Sequence, residues 1–514
     1  RSRHAQAELV HRFLFEREPP EAEREQVTAL RELYTLFAGP IATSLDRDRV
    51  AIAPVAPYSP ARNLYPSDAT AEALRDFAES NPHEELLGER AVVRARTEEA
   101  LAIDRAVLDR HPVLDVLHPG LRERLSAPAR EGAFYAVPYS VAYAEEVMEL
   151  YVLLSEAARE VRGEDPDLAD YLAQRARDLL SDDYQGGDAA WVAGRYRSLN
   201  AQIGAYETYD DHLMGAKAFW SLSVLVREPE SSDELARSIS GLGAHQAALP
   251  GGPYPPVRAE IPIGIYDVVA DFGQARGGNT ATILPNEERN ARRFGRTILI
   301  RRNVLTNDAF VESAQRRFRA VIAPEHAGDL LASGSFDRTV WHEVGHYLGA
   351  HLTADGRPVT DALGALHNTL EEMKADLASL FVLERRAAGG EITQDRLRAA
   401  QAAGILRVLL ASRPGRDEAY GTMQLMQQRW FFDRGLLSFT PQRKLRIDYA
   451  RYAVTIEALL AEVLALQRRG DPAEAERFVE RWAVWDDEAQ GVIARAQEGT
   501  GARFWLPRYE ALER

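Results

Sequence analysis

The sequence predicts an α+β protein that is predominantly α-helical, with a compact β element near the middle of the chain. Three observations carry this. Apolar residues recur at helical spacing over 141–161 and 171–180. The densest breaker cluster, Leu249-Pro250-Gly251-Gly252-Pro253-Tyr254-Pro255-Pro256, is followed by short Ile- and Val-rich runs at 258–269 and 297–305, a strand signal. From Phe336 the helical pattern runs almost to the end.

Taken in order, residues 1–50 are charged and rich in Ala, Leu and Arg, and predict helix. Residues 54–68 gather Pro, Tyr and Asn and predict a loop. Residues 134–230 predict helix again. The two strand runs are separated by a turn at Gly277-Gly278-Asn279. The C-terminal helices break near Asp355, Gly389, Pro414, Gly435 and Gly470. There is no internal repeat.

Composition excludes several function classes. A chain of 514 residues has material for two to four domains, and 46% apolar residues exclude wholesale disorder. The absence of Cys excludes disulfides, thiol nucleophiles, iron–sulfur clusters and zinc fingers. Any metal site must come from the 12 His and the acidic residues. A net charge of −16 argues against nucleic-acid partners. Lys occurs only at 217, 374 and 444, so the cations are almost all Arg. No apolar run reaches the ~18 residues of a membrane span, and no leader is visible. The chain starts at Arg1 rather than Met. A cytoplasmic location is favoured, with periplasm or secretion compatible with a leader removed before Arg1. Monomer and homodimer both stay open.

The sharpest motif is His342-Glu343-Val344-Gly345-His346, an H-E-x-x-H pattern. Ser335 is expected to cap its helix and Asp337 to sit in the first turn. Residues four apart leave one helix face, so His342 and His346 can reach one Zn²⁺. Glu343 lies ~100° round the helix, placed to take a proton from a water on the metal. His351 falls one residue short of the third His of the longer H-E-x-x-H-x-x-G-x-x-H pattern, since that place is held by Leu352. It is expected to line the cleft or stand behind the ligands.

A better third ligand follows 26 residues after His346. Leu363, Leu366, Leu370, Met373, Leu377 and Leu380 form a stripe with one buried seam. On that helix Glu372 and Asp376 share a face. Glu372 is assigned as ligand, with Asp376 orienting a ligand His through its other ring nitrogen. Glu371 has Ala375 four residues on, and is expected to contact a ligand or the substrate.

At these residues the sequence resembles the dipeptidyl peptidase III family of zinc exopeptidases, whose second motif is E-E-x-[RK]-A-[ED]. Glu371-Glu372-Met373-Lys374-Ala375-Asp376 fits it, and the five-residue zinc motif looks like a bacterial branch. The resemblance extends to Asn63-Leu64-Tyr65-Pro66-Ser67-Asp68-Ala69-Thr70, to Pro138-Tyr139-Ser140-Val141-Ala142-Tyr143, and to Asp182-Asp183-Tyr184 with Trp191. It continues through Glu207-Thr208-Tyr209-Asp210-Asp211 with Gly215-Ala216-Lys217-Ala218, and through Leu284-Pro285-Asn286. Together the matches span about 54–470.

The resemblance implies one Zn²⁺ per chain, a short peptide substrate, and two lobes separated by a wide cleft. A discontinuous lower lobe of 1–227 and 267–311 would hold a small β-barrel, and an upper helical lobe of 228–266 and 312–514 would bind zinc. Glu207 would bind the substrate's free amino terminus, Tyr209 would donate to the oxyanion, and Asn286 would help hold the amino end. Tyr420, in Glu418-Ala419-Tyr420-Gly421, stands where the family carries a His. Ile283 stands where some members have Asn. A phenol donates a hydrogen bond but does not become a cation near neutral pH. Removal of N-terminal dipeptides is therefore the leading expectation. A zinc hydrolase with another amide substrate and an inactive peptide-binding homologue are its alternatives.

Overall fold

The computed structural model describes the chain except residues 1, 38, 44–48, 53–58, 209, 240, 258–261, 274–278, 285–292, 410–418, 499, 501–508 and 510–514. Helices dominate, and the β element is a half-barrel of five strands. These are β1 (Leu199–Glu207), β2 (Phe219–Arg227), β3 (Ile263–Gly273), β4 (Ala281–Leu284) and β5 (Thr297–Arg301). Their order is β1-β2-β3-β5-β4, and every pairing is antiparallel except β3 with β5. The predicted fold class, predominantly helical α+β in two lobes, is the one observed.

The sheet is the wall shared by two cores. Successive strand residues face opposite sides, and β5 is buried along its whole length. Ile298 and Ile300 join Ile265 in a core built mainly by the C-terminal helices. Leu299 joins Tyr266 and Val268 in a second core with Leu108, Tyr135, Tyr171 and Trp191. Between these cores Arg301 donates to Asp271 Oδ2 and to Ser223 Oγ, both at 2.8 Å, with all three residues buried.

Four expectations need correction. Residues 41–51 are not helix: Ile41–Thr43 pairs with Arg49–Ala51. Within 134–230, Phe134–Pro138, β1 and β2 are strands. The alternation in β2 is hidden because Ser221 and Ser223 occupy inward positions, where they bond Gly204 O and Asp271 instead of packing as apolar groups. The run at 297–305 is a strand only to Arg301, and Arg302–Leu305 is a helical turn. In the C-terminal half, Leu437–Phe439 and Leu445–Ile447 form a small antiparallel pair. The turn residues Gly277 and Gly278, and Pro414, lie outside the described residues.

Five helices carry the centre of the C-terminal half: α1 (Ala332–Gly345), α2 (His367–Ala388), α3 (Gln394–Leu409), α4 (Ala419–Asp433) and α5 (Tyr452–Arg469). α2 is the axis of the bundle and packs on the other four. Its leucine seam is buried as the spacing predicts, with Leu370, Met373, Leu377 and Leu380 all in the core. Leu363 and Leu366 belong to the short turns before it. Among the described residues no helix is long and apolar enough to cross a membrane.

Close helix contacts depend on missing Cβ atoms. At Gly334 a Cβ would lie 2.1 Å from Ala399 O, on the backbone of α3. Gly334→Val should therefore push α1 off α3 and destabilise the protein by about 1–3 kcal/mol. Calorimetry should record a melting temperature lowered by a few degrees; an unchanged value would contradict this packing.

Candidate metal centre and active site

The H-E-x-x-H residues lie in the last turn of α1. The helix begins three residues before Ser335, which is thus inside it rather than at its cap. Asp337 is buried and held by Arg396 of α3 at 2.6 and 2.7 Å. That ion pair, with the glycine contacts, locks the helix to its neighbours.

Gly345 sets the approach of α1 to α2. A Cβ there would lie 2.6 Å from Ala375 O. At this separation the side chains of the two helices meet directly. His342 Nε2 is 3.2 Å from Glu372 Oε2, and His346 Nε2 is 3.9 Å from the same oxygen. One ligand atom each from His342, His346 and Glu372 fall within 4.8 Å of one another. Glu372 Oε2 is buried and accepts no hydrogen bond. A buried carboxylate oxygen without a donor is costly, and two imidazole nitrogens and a carboxylate are the donor set that suits a zinc ion. The residues present fit the metal.

The opposite nitrogen of each ring meets its own carboxylate. His342 Nδ1 is 2.5 Å from Asp376 Oδ1, and His346 Nδ1 is 2.9 Å from Glu371 Oε1. Each carboxylate holds a proton on Nδ1 and turns Nε2 toward the third acid, the nitrogen that would ligate a metal once its own proton is lost. Asp376 is itself surrounded. Arg338 pairs with Oδ1, while Arg407 Nε and Gln427 Nε2 stand 3.7 and 3.4 Å from Oδ2. Glu371 takes Lys374 Nζ at 2.7 Å and Gln467 Nε2 at 3.0 Å.

Electrostatics follow from this wiring. Burial would raise the Asp376 carboxyl, but Arg338, Arg407 and His342 hold it well below the usual range. Burial acts likewise on Glu371, which Lys374 and His346 hold well below. Glu372 is lowered against its burial by His342 and His346. Burial opposes protonation of His342, yet Asp376, Glu372 and Glu343 push it up to about 9. Glu371, Glu372 and Asp376 are thus all favoured as carboxylates beside the two imidazoles.

A cleft of about 300 Å³ opens beside the metal ligands. Glu343 and Thr339, one helical turn apart on α1, form one wall with His342. Arg407 and Tyr420 close it from α3 and α4, and Asn279 and Thr280 from the approach to β4. Tyr420 is 45% exposed at the start of α4. His351 lies in the turn beyond α1, exposed, where its carbonyl accepts from Val359 N at 3.1 Å. Glu207 ends β1, on the sheet edge opposite β4. Tyr209 and Asn286 lie outside the described residues.

Several contributors have no counterpart in the sequence reading. Arg338, Arg407, Gln427 and Gln467 reach the carboxylates from four helices. Lys374 is almost fully buried and donates to Gly345 O, His346 O and Leu348 O at 2.9–3.2 Å, capping the end of α1. Its signals in the sequence were its place in the second motif and its scarcity, as one of three Lys in the chain. If Asp376 acts as described, Asp376→Asn should weaken zinc binding by about 10–100-fold, measured against a competing chelator. Unchanged affinity would remove Asp376 from the centre.

No family model matches the sequence. The chain is similar to Nudix hydrolase 3 of Arabidopsis thaliana, 25% identical over 365 residues, covering 70% of this chain. It spans about half the length of that relative, 47%. Among solved structures, it is similar to DPP III from Caldithrix abyssi, with a TM-score of 0.79 at 22% identity, covering 100% of this chain and 91% of that one. It is also similar to dipeptidyl-peptidase III from Corallococcus sp. strain EGB, with a TM-score of 0.72 at 24% identity and coverages of 100% and 89%. Over its whole length, then, the chain adopts the fold of the dipeptidyl peptidase III structures.

Proposed function

We propose that the protein is a zinc-dependent exopeptidase that releases dipeptides from the N-terminus of short peptides. The convergence of His342, His346 and Glu372, with His342 and Glu343 lining the adjacent cleft, carries the reading. The whole-chain likeness to two dipeptidyl peptidase III structures supports it.

His342, His346 and Glu372 would hold the metal. When bound, zinc supplies a Lewis acid for the scissile carbonyl and lowers the pKa of water. Glu343 takes a proton from the attacking water and returns it to the leaving amine. Asp376 and Glu371 keep both imidazoles in the ligating tautomer throughout. Tyr209 donates to the developing oxyanion, where a preorganised donor is worth most.

Dipeptide length is set by Glu207, whose carboxylate pairs with the substrate ammonium, helped by Asn286. Glu207 belongs to a lower lobe of 1–227 and 267–311, and the metal ligands to an upper lobe of 228–266 and 312–514. Leu235, Ile239 and Leu249 pack with the C-terminal helices as this division requires, and Ile298, Ile300 and Leu305 of 267–311 reach the same core across the boundary. Closure of the lobes brings ammonium site and metal together and expels water. Tyr420 in the cleft favours a second reading, a zinc amidase of this fold with a different substrate.

Dipeptidyl-arylamides provide the test. Chelation should abolish hydrolysis and zinc should restore it. Glu343→Gln should lower kcat by about 10²–10⁴-fold while retaining zinc. Inertness of wild type and variant alike, with zinc bound, would leave a peptide-binding protein. Tyr420→His should raise dipeptide release if that position tunes the reaction; equal rates would detach Tyr420 from it.

A further inference from the structure

We propose that Arg407 selects substrates carrying a carboxylate within about one residue of the scissile bond. This rests on the peptidase reading only for what is cleaved. That an anion binds here is argued from the cleft itself.

Arg407 is the cation in the wall of the cleft that also holds Glu343 and His342. Its side chain is 28% exposed, so a ligand can reach it. Its Nε is buried and makes no hydrogen bond. Among the described residues its ion pair is with Asp376 Oδ2, at 3.7 Å. That carboxylate is already engaged by Arg338 and by His342, so the charge on Arg407 is only partly answered. The guanidinium lies 5.7 Å from the centre of the Tyr420 ring, which limits where it can swing.

A planar guanidinium matches a carboxylate in geometry and charge. Glu343 and Glu372 would repel an anion entering alone, and Arg407 offsets that repulsion. Since Arg407 and Glu343 share one small cavity, the bound carboxylate must lie close to the reacting carbonyl. It is either the free C-terminus of a tripeptide or an acidic side chain beside the cleaved bond.

Calorimetric titration of the zinc-loaded full chain carrying Glu343→Gln separates these. The probes are trialanine, trialanine amide and Ala-Ala-Asp amide. At least one carboxylate probe should bind about tenfold or more tightly than trialanine amide, the value of a charged hydrogen bond. Which one does so identifies the source. Adding Arg407→Met should erase the difference, and Arg407→Lys should keep part of it. Zinc content and melting temperature control for folding, with Arg407→Gln as a second neutral variant. Equal affinities, no binding, or a preference surviving Arg407→Met would overturn the proposal. A preference that is lost with Arg407→Met, in a wild type that cleaves no peptide, would sink the peptidase reading and leave the anion site standing.

Discussion

Gly345 lets the backbone of α1 rest on Ala375 of α2, and the geometry of the centre descends from that contact. A side chain there would separate the helices and part His342 and His346 from Glu372. The approach also brings the end of α1 over Lys374. Its buried ammonium donates to three carbonyls at and just beyond the helix end, Gly345 O, His346 O and Leu348 O. A positive charge at a helix C-terminus is favourable, and the same ammonium neutralises Glu371. One residue thus ends the ligand helix and holds the acid that orients His346.

The sheet supplies the other half of the cleft by a different constraint. Because β5 is buried on both faces, it cannot shift without disturbing both cores. Arg301 at its end is tied through Asp271 to Ser223 on β2 and to Tyr509 near the C-terminus. The Arg301 amide donates to Thr280 O at 2.9 Å, so the segment bearing Asn279 and Thr280 is fixed to the least movable strand. The cleft lies between two rigid parts, a helix pair and a sheet.

Much of this was legible in the sequence because it depends on periodicity. The α2 seam, the shared face of Glu372 and Asp376, and the spacing of His342 and His346 are all local regularities. The wiring behind them was not. Nothing near Glu371 announces Gln467, which arrives from α5. The strands β1 and β2 were missed because serines and a glycine occupy their inward face, where tertiary hydrogen bonds replace apolar packing. Ser335 looked like a cap, but the helix starts earlier, since its first turn is held by contacts with α3 rather than by a capping side chain.

The scarcity of lysine sharpens the point. All three, Lys217, Lys374 and Lys444, donate to backbone carbonyls. A compact ammonium with three rotatable donors fits a cluster of carbonyls, whereas a guanidinium presents a flat fork. At the metal centre Lys374 does both, meeting carbonyls and the Glu371 carboxylate. Lys374 closes a helix end, while Arg338 and Arg407 meet the planar carboxylate of Asp376. Arg338 takes it at close range, while Arg407 stands farther off and also lines the cleft. In a chain that uses arginine almost everywhere, each lysine reaches a backbone carbonyl, while arginine serves carboxylates, as at Asp376, and carbonyls too, as Arg90 does at Ala205 O.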